Sequence, residues 1–243
     1  MKDIGRKAII LALDELTLDQ ALELCSKVGD RIFAVKGHSI VDHYGPGVVS
    51  QLLQAGAPQF WEDAKLLDIP NTVRLRAQAI ASSGVNILTL QAEGEIEMML
   101  AGRKGGSGMK LYAITVLTSL SEEEVQLQSG HSVKATVLYR ARLAKLAGMD
   151  GIVCSPQEVE LIAKRPELNG LEIVVPGSRS AGKDHGDQKR VGTPTAVIKA
   201  AGDRLARLVI GRQVTQASDP IAALEELEAE IAAAIKEKEA GVP

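Results

Sequence analysis

The chain has 243 residues, a formal net charge of −3 and a hydrophobic content of 45%. The slight acidity argues against sequence-independent nucleic-acid binding, which needs a basic face, and no apolar run is long enough to span a bilayer. Cys25 and Cys154 form neither a disulfide framework nor a metal-ligand spacing, and no signal-peptide pattern precedes the first apolar run, so a reducing, cytoplasmic setting is expected.

The predicted elements alternate. Ala8 to Leu13 is a short apolar run ending in Asp14, and Thr17 to Gln20 has the form of a capping box that opens a helix through about Lys27. A second run, Arg31 to Val35, ends in Lys36 and Gly37, and a helix follows Pro46 to about Gln54. Gln59 to Ala64 is the third run, followed by a helix from about Ile69 to Ala81. Val85 to Leu90 ends in Gln91, and Glu93 to Leu100 is helical. Gly105-Gly106-Ser107-Gly108 precedes a strand and is expected to be a hairpin-like connection rather than a phosphate cradle. Lys110 to Val116 is the fifth run, a second capping box starts at Ser121, and Val133 to Leu146 is a longer helix. Gly151 to Val153 ends in Cys154 and Ser155, with Ser155-Pro156-Gln157-Glu158 as a helix start. Leu171 to Val175 and Leu205 to Ile210 are the last two runs. Thr193-Pro194 and Asp219-Pro220 start the last two helices, with the tail from Lys236 to Pro243 expected to fray.

Eight short strands alternating with helices imply parallel strands joined by helical crossovers. Eight such units in this length predict one (β/α)₈ TIM barrel, a single domain over residues 1–243. An open doubly wound sheet is the rival, but Asp14-Glu15-Leu16-Thr17 is not the glycine-rich turn that a dinucleotide site there requires. Only six aromatic residues occur: Phe33, Tyr44, Phe60, Trp61, Tyr112 and Tyr139. A ligand would therefore be held more by hydrogen bonds and charge than by stacking.

Barrel sites sit at the C-terminal ends of the strands. Those ends carry Asp14, Lys36, Asp63 with Lys65, Gln91, Thr118, Ser155, the 176–190 loop and Arg212. Asp63 and Lys65 are two apart on one strand and share a face; Asp68 follows in the turn before a helix, with Pro70 suited to the first helical position. An ammonium flanked by carboxylates is kept charged and aimed. The competing reading is an ion-pair network that only stabilises the barrel. Val209-Ile210-Gly211-Arg212 reads as a phosphate site, because glycine admits an anion to the backbone and arginine is a planar double donor; Gln188 adds a neutral donor. The long 176–190 loop reads as a lid. His185 lies beside two aspartates without a second histidine at ligand spacing, and His38, His43 and His131 form no cluster, so no metal site is expected.

Over nearly its whole length the chain resembles the bacterial orotidine 5′-monophosphate decarboxylases. The resemblance rests on Leu11 to Asp14, Val35 to Gly37, Asp63 to Val73, Thr115 to Ser119, Gly151 to Ser155, Val175 to Arg179, Gly186 to Arg190 and Val209 to Arg212. The Asp-x-Lys-x-x-Asp core is shared with sister decarboxylases and synthases of sugar phosphates; the Ile-Pro-Asn-Thr extension and the Gly-Asp-Gln-Lys-Arg loop are more specific. It implies a homodimer that decarboxylates orotidine 5′-monophosphate without metal or organic cofactor. Lys65 would protonate C6, with Asp63 against the departing carboxylate and Asp68 and Thr72 reaching the partner's site. Lys36 and Asp14 would hold the ribose hydroxyls, Thr118 the pyrimidine, and Arg179, Gln188, Gly211 and Arg212 the phosphate. The chain departs from that pattern at Leu67 and Gln91, where histidine is usual, at Glu62, where an aliphatic is usual, and at Lys36-Gly37-His38, which replaces Lys-Val-Gly. A metal-dependent sugar-phosphate decarboxylase or synthase, and a catalytically silent nucleotide-binding barrel, are the alternatives.

Overall fold

A computed structural model describes residues 8–180 and 190–240. The short apolar runs become the strands β1 (Ile9–Ala12), β2 (Ala34–Gly37), β3 (Phe60–Leu66), β4 (Ile87–Gln91), β5 (Lys110–Ile114), β6 (Gly151–Val153), β7 (Glu172–Val175) and β8 (Ala206–Ile210). Each pairs in parallel with the next, and β1 closes on β8 to complete a barrel. Helical crossovers cover the outside, so the strands are buried on both faces and read as continuous apolar runs rather than alternating ones. Ile10, Ile87, Ile114, Val153, Val174 and Val209 fill the barrel interior with Trp61 and Tyr112. Their neighbours Leu11, Val35, Phe60, Leu88, Leu111, Ile152 and Leu208 belong to the outer core with the helices.

The helices are α1 (Leu18–Val28), α2 (Ser39–Tyr44), α3 (Gly47–Gln54), α4 (Pro70–Ser82), α5 (Glu95–Gly105), α6 (Glu122–Ser129), α7 (Val133–Leu146), α8 (Val159–Ala163), α9 (Pro194–Ala200), α10 (Arg212–Thr215) and α11 (Pro220–Glu239). The capping boxes at Thr17 and Ser121 are both formed, and Pro70 takes the first position of α4. Ser155 caps a short 3₁₀ turn that leads into α8.

Several expected boundaries move. The second run starts β2 only at Ala34, because Gly29–Arg31 forms a 3₁₀ turn whose Arg31 reaches Glu228 at 2.8 Å. Helix α5 continues past Leu100 to Gly105, where an added Cβ would fall 2.1 Å from the Arg74 carbonyl oxygen. That glycine lets α4 and α5 approach closely, and the segment after it joins a helix to parallel β5, so it is no hairpin. Helix α11 runs to Glu239, its end held by Lys238 Nζ donating to the Gly202 carbonyl at 2.6 Å. The expected fraying of Lys236 to Glu239 is therefore not seen, and residues 241–243 lie outside the described residues. The short helices α2 and α10 carry too few turns to show a period in the sequence.

The N-terminal end of the barrel is plugged. Glu172 accepts from Arg207 Nε at 2.6 Å and from the Tyr112 hydroxyl at 2.5 Å, and it pairs with Lys110. Burial would raise the Glu172 carboxyl, but these three donors hold it down at about 2. The Arg207 guanidinium carbon also lies over the Phe33 ring, 3.3 Å from its centre. With that end closed among the described residues by ion pairs and aromatic rings, the cavity lies at the C-terminal ends of the strands.

Candidate active site

A cavity of about 520 Å³ opens at those strand ends. Asp14, Lys36, Asp63, Lys65, Thr118, Arg179, Gly211 and Arg212 all line it, and Trp61 forms part of its floor. The sequence spreads these residues over several strand ends, and barrel closure brings them to one mouth.

One side of the cavity is a chain of alternating charges. Lys36 Nζ lies 2.8 Å from Asp14 Oδ2 and 3.2 Å from Asp63 Oδ2, and Lys65 Nζ lies 2.9 Å from the same Asp63 oxygen. Lys36 and Asp63 are buried. Burial alone would neutralise each of them. For Lys36, the charges of Asp63 and Asp14 outweigh that effect and push the ammonium above its ordinary range. For Asp63, burial is again outweighed, here by Lys36, Lys65 and a hydrogen bond from Thr89, and the carboxyl is held below the usual carboxylate range. Asp14 behaves likewise: burial raises it, while Lys36 and the His38 backbone N–H lower it further. The set is thus a self-compensating ionic network, the condition under which buried charges are tolerated.

The backbone aims Lys65 by an unexpected route. Simple alternation along the strand would suffice to put Asp63 and Lys65 on one face, but the β3–β4 register shifts between Glu62 and Leu66, and Lys65 has a φ of +46°. A non-glycine residue in that region is held there by its surroundings. One holder is Thr89 on β4, fully buried, whose hydroxyl donates to Asp63 Oδ1 at 2.8 Å and accepts from the Lys65 backbone N–H at 3.3 Å. Thr89 was not singled out in the sequence; the sign was a hydroxyl inside the apolar run Ile87 to Leu90.

The loops after β7 and β8 carry Arg179 and Arg212 into the same cavity. Arg212 stands 3.8 Å from Glu15, and Gln213 next to it clasps Ser180, accepting from the Ser180 N–H at 2.9 Å and donating to its hydroxyl at 2.6 Å. This clasp ties the end of β7 to the end of β8. The β7 loop is closed at its base, where the Arg179 N–H donates to the Gly192 carbonyl at 3.0 Å. Just before that base, Arg190 is buried. Its Nη1 donates to Glu158 at 2.7 Å and its Nη2 to the Leu117 carbonyl at 2.9 Å, while Glu158 also accepts from the Ser155 N–H at 2.9 Å. The loops after β5, β6 and β7 are therefore fastened to one another beside Thr118.

The remaining expected residues do not gather at this mouth. Asp68 is exposed and its Oδ1 accepts from the Ile69 N–H at 2.7 Å; Thr72 sits half-buried on the first turn of α4. Neither lines the cavity, nor does Gln91, and Ser155 is buried as a cap. Gln188 and His185 lie outside the described residues. Glu62 is half-buried; burial and the charge of Asp42 raise its carboxyl, with Arg76 as the opposing cation. Among the described residues no group of three or more His, Cys, Asp or Glu side chains is placed to hold a metal ion.

Comparison with known proteins gives a consistent result. A profile of the orotidine 5′-phosphate decarboxylase / HUMPS family matches residues 7–227. The orotidine 5′-phosphate decarboxylase of Pseudoalteromonas translucida is 39% identical over 226 residues, covering 90% of this chain and 94% of that one. That of Methylobacterium nodulans is 40% identical over 235 residues, covering 94% and 97%. The crystal structure of the Lactobacillus acidophilus orotidine 5′-phosphate decarboxylase superposes with a TM-score of 0.75 at 32% identity, covering 93% of this chain and 99% of that one.

Proposed function

The chain belongs to the orotidine 5′-phosphate decarboxylase / HUMPS family, and from that premise we propose how its cavity works. It is an enzyme that converts orotidine 5′-monophosphate to uridine 5′-monophosphate and carbon dioxide, a step of pyrimidine biosynthesis. The observation that carries the assignment of roles is the Asp14–Lys36–Asp63–Lys65 network in a cavity that Arg179, Gly211 and Arg212 also line.

The substrate is a dianionic phosphate at one end and a carboxylate on C6 of a pyrimidine at the other, and the cavity supplies cations at both ends. Arg179, Arg212 and the Gly211 backbone take the phosphate, the last because glycine lets an anion come close. Gln188 adds a donor to the same group. Thr118 contacts the pyrimidine, and Asp14 and Lys36 take the ribose hydroxyls. In the chemical step the C6–carboxylate bond breaks heterolytically and carbon dioxide leaves. The electron pair stays on C6, a ring carbon with no adjacent group to delocalise it. The Lys65 ammonium stabilises that developing charge and delivers its proton to C6, giving the product; solvent then reprotonates the amine. Because the cation is in place before the charge forms, little reorganisation accompanies the step. Asp63 lies against the substrate carboxylate, and their repulsion disappears as the carboxylate becomes neutral carbon dioxide.

Asp68 and Thr72 act across a homodimer, each reaching the partner's site. Support comes from the exposure of Asp68 and of Leu67, Ile69 and Leu75 in the same stretch of chain; apolar groups of this kind cluster where surfaces associate. No described helix is long and apolar enough to cross a membrane.

The test is spectroscopic. Purified protein mixed with orotidine 5′-monophosphate should abolish the orotate absorbance, with or without a chelator. Lys65→Ala should lower the rate more than the roughly 10²–10³-fold typical of losing one neutral donor, while product binding survives. Wild-type rates in that variant would remove Lys65 from the chemistry.

A further inference from the structure

We infer that Glu230, a carboxylate on the last helix and away from the cavity, is a positioning residue: through Ser180 and Gln213 it fixes the spacing of the two arginines that receive the phosphate. The inference rests on the proposed function above, in which Arg179 and Arg212 take that group.

The helix sets where the carboxylate stands. Leu227 and Ile231 of α11 are buried, and residues three apart on a helix share a face, so Glu230 lies beside Leu227 on the packed side and is itself half-buried. Both of its oxygens are used. Oε2 accepts from the Ser180 hydroxyl at 2.6 Å. Oε1 accepts from the Thr195 hydroxyl at 3.1 Å, with the Thr195 N–H at 3.4 Å. Ser180 follows directly on Arg179, and Thr195 is the second residue of α9. One carboxylate thus holds the chain soon after it leaves β7 and again where it enters α9.

The direction of the bonds makes the carboxylate decisive. A carboxylate only accepts, so the one hydroxyl hydrogen of Ser180 goes to Glu230. The Ser180 oxygen is then left with lone pairs, and it accepts from Gln213 Nε2 at 2.6 Å. That turns the Gln213 amide so that its oxygen meets the Ser180 N–H at 2.9 Å. One arrangement of hydrogens satisfies all of these groups. Without Glu230 the hydroxyl hydrogen is free to turn toward Gln213, and the amide has no reason to keep one orientation.

What the relay serves follows from adjacency. Ser180 is the peptide neighbour of Arg179 and Gln213 that of Arg212, and both arginines line the cavity. A phosphate held by two guanidiniums needs them at one spacing. A pair fixed at that spacing before the ligand arrives spends less binding energy on ordering. Glu230 does not line the cavity, so it acts through Ser180 and Gln213 and not on the ligand.

The experiment measures dissociation constants for uridine 5′-monophosphate and for uridine by calorimetric titration. The proteins are the wild type, Glu230→Ala, Glu230→Gln, Gln213→Ala and the Glu230→Ala/Gln213→Ala double variant, each checked for folding by circular dichroism. Glu230→Ala should weaken the nucleotide roughly three- to tenfold, the range for a lost neutral hydrogen bond, and leave uridine unchanged. With orotidine 5′-monophosphate the loss should appear in KM, with kcat little altered. Gln213→Ala should show the same phosphate-specific loss, and the double variant no more than either single one, because both act through Ser180. Glu230→Gln, whose amide oxygen can still accept from Ser180, should recover part of it. Equal losses for nucleotide and nucleoside, no loss, or fully additive losses in the double variant overturn the role of Glu230. Tighter nucleotide binding in Glu230→Ala or Glu230→Gln overturns it too, since the carboxylate would then act on the phosphate by its charge alone. Should Glu230→Ala not fold, Gln213→Ala decides, and the absence of a phosphate-specific loss there overturns the relay. A wild-type protein that binds uridine as tightly as uridine 5′-monophosphate overturns the phosphate assignment itself, and this inference with it.

Discussion

Replacing Lys36 with methionine tests whether the ionic network is held together as described. Methionine keeps most of the stem and removes the ammonium 2.8 Å from Asp14 and 3.2 Å from Asp63. Deleting one member of a buried ion pair costs about 3–5 kcal/mol. Both carboxylates keep other partners here, Asp14 in the His38 and Ser39 N–H groups and Asp63 in Lys65 and Thr89, so the lower end, about 3 kcal/mol, is expected. At about 2–4 °C per kcal/mol for a chain of this size, the melting temperature should fall by roughly 6–12 °C near neutral pH. The pH dependence is the sharper readout. In the wild type the Asp14 and Asp63 carboxyls are lowered from 3.8, so their contribution is complete above that value and is lost as pH falls through the folded-state values. The Lys36 ammonium is raised from 10.5, so its contribution is complete below that value and is lost only as pH rises beyond it. In Lys36→Met both acids lose their strongest lowering influence, so their folded-state values rise relative to the wild type. The deficit should therefore be largest between about pH 6 and 9 and shrink toward pH 4, where the variant's carboxylates take up protons more readily than the wild type's. Calorimetry or thermal denaturation at pH 7.5 and 4.5 checks this. A melting temperature equal to wild type, or a deficit of the same size at both pH values, would refute the reasoning.

Two further outcomes are expected. Arg212→Ala should weaken uridine 5′-monophosphate roughly 10- to 100-fold, the range for a hydrogen bond to a charged group, and barely change uridine; calorimetric titration with both ligands checks it, and equal losses would remove the phosphate role. Mixing Asp68→Ala with Lys65→Ala protein should regenerate activity, because a mixed dimer holds one site with both residues intact; no recovery in verified mixed dimers would exclude sharing between subunits.

The barrel was legible because each strand is a short apolar run bounded by polar residues, and because the helix starts at Thr17, Ser121, Pro194 and Pro220 carry explicit local signals. The cavity-lining residues Asp14, Lys36, Asp63, Lys65, Thr118, Arg179, Gly211 and Arg212 were legible for a related reason: the architecture sends every strand end to one rim. What the sequence hid depends on contacts between distant segments. Thr89 reads as an ordinary strand residue until β4 is laid against β3. Arg190 and Glu158 lie 32 positions apart and look like surface charges until the chain folds them into a buried pair. His38 stands out in the sequence only within the Lys36-Gly37-His38 departure, and its place in the cavity lining shows only once the barrel closes. The register shift in β3 was invisible too, since alternation alone already put Asp63 and Lys65 on the same side.

That shift has a bearing on how the protein tolerates change. A left-handed backbone costs an ordinary L-residue on the order of 1 kcal/mol, and glycine or asparagine relieves most of it. Selection for heat resistance alone would therefore press on position 65, where the easier occupants carry no amine. Robustness and chemistry compete for one site, and a thermostabilised descendant should gain its degrees elsewhere or fall silent.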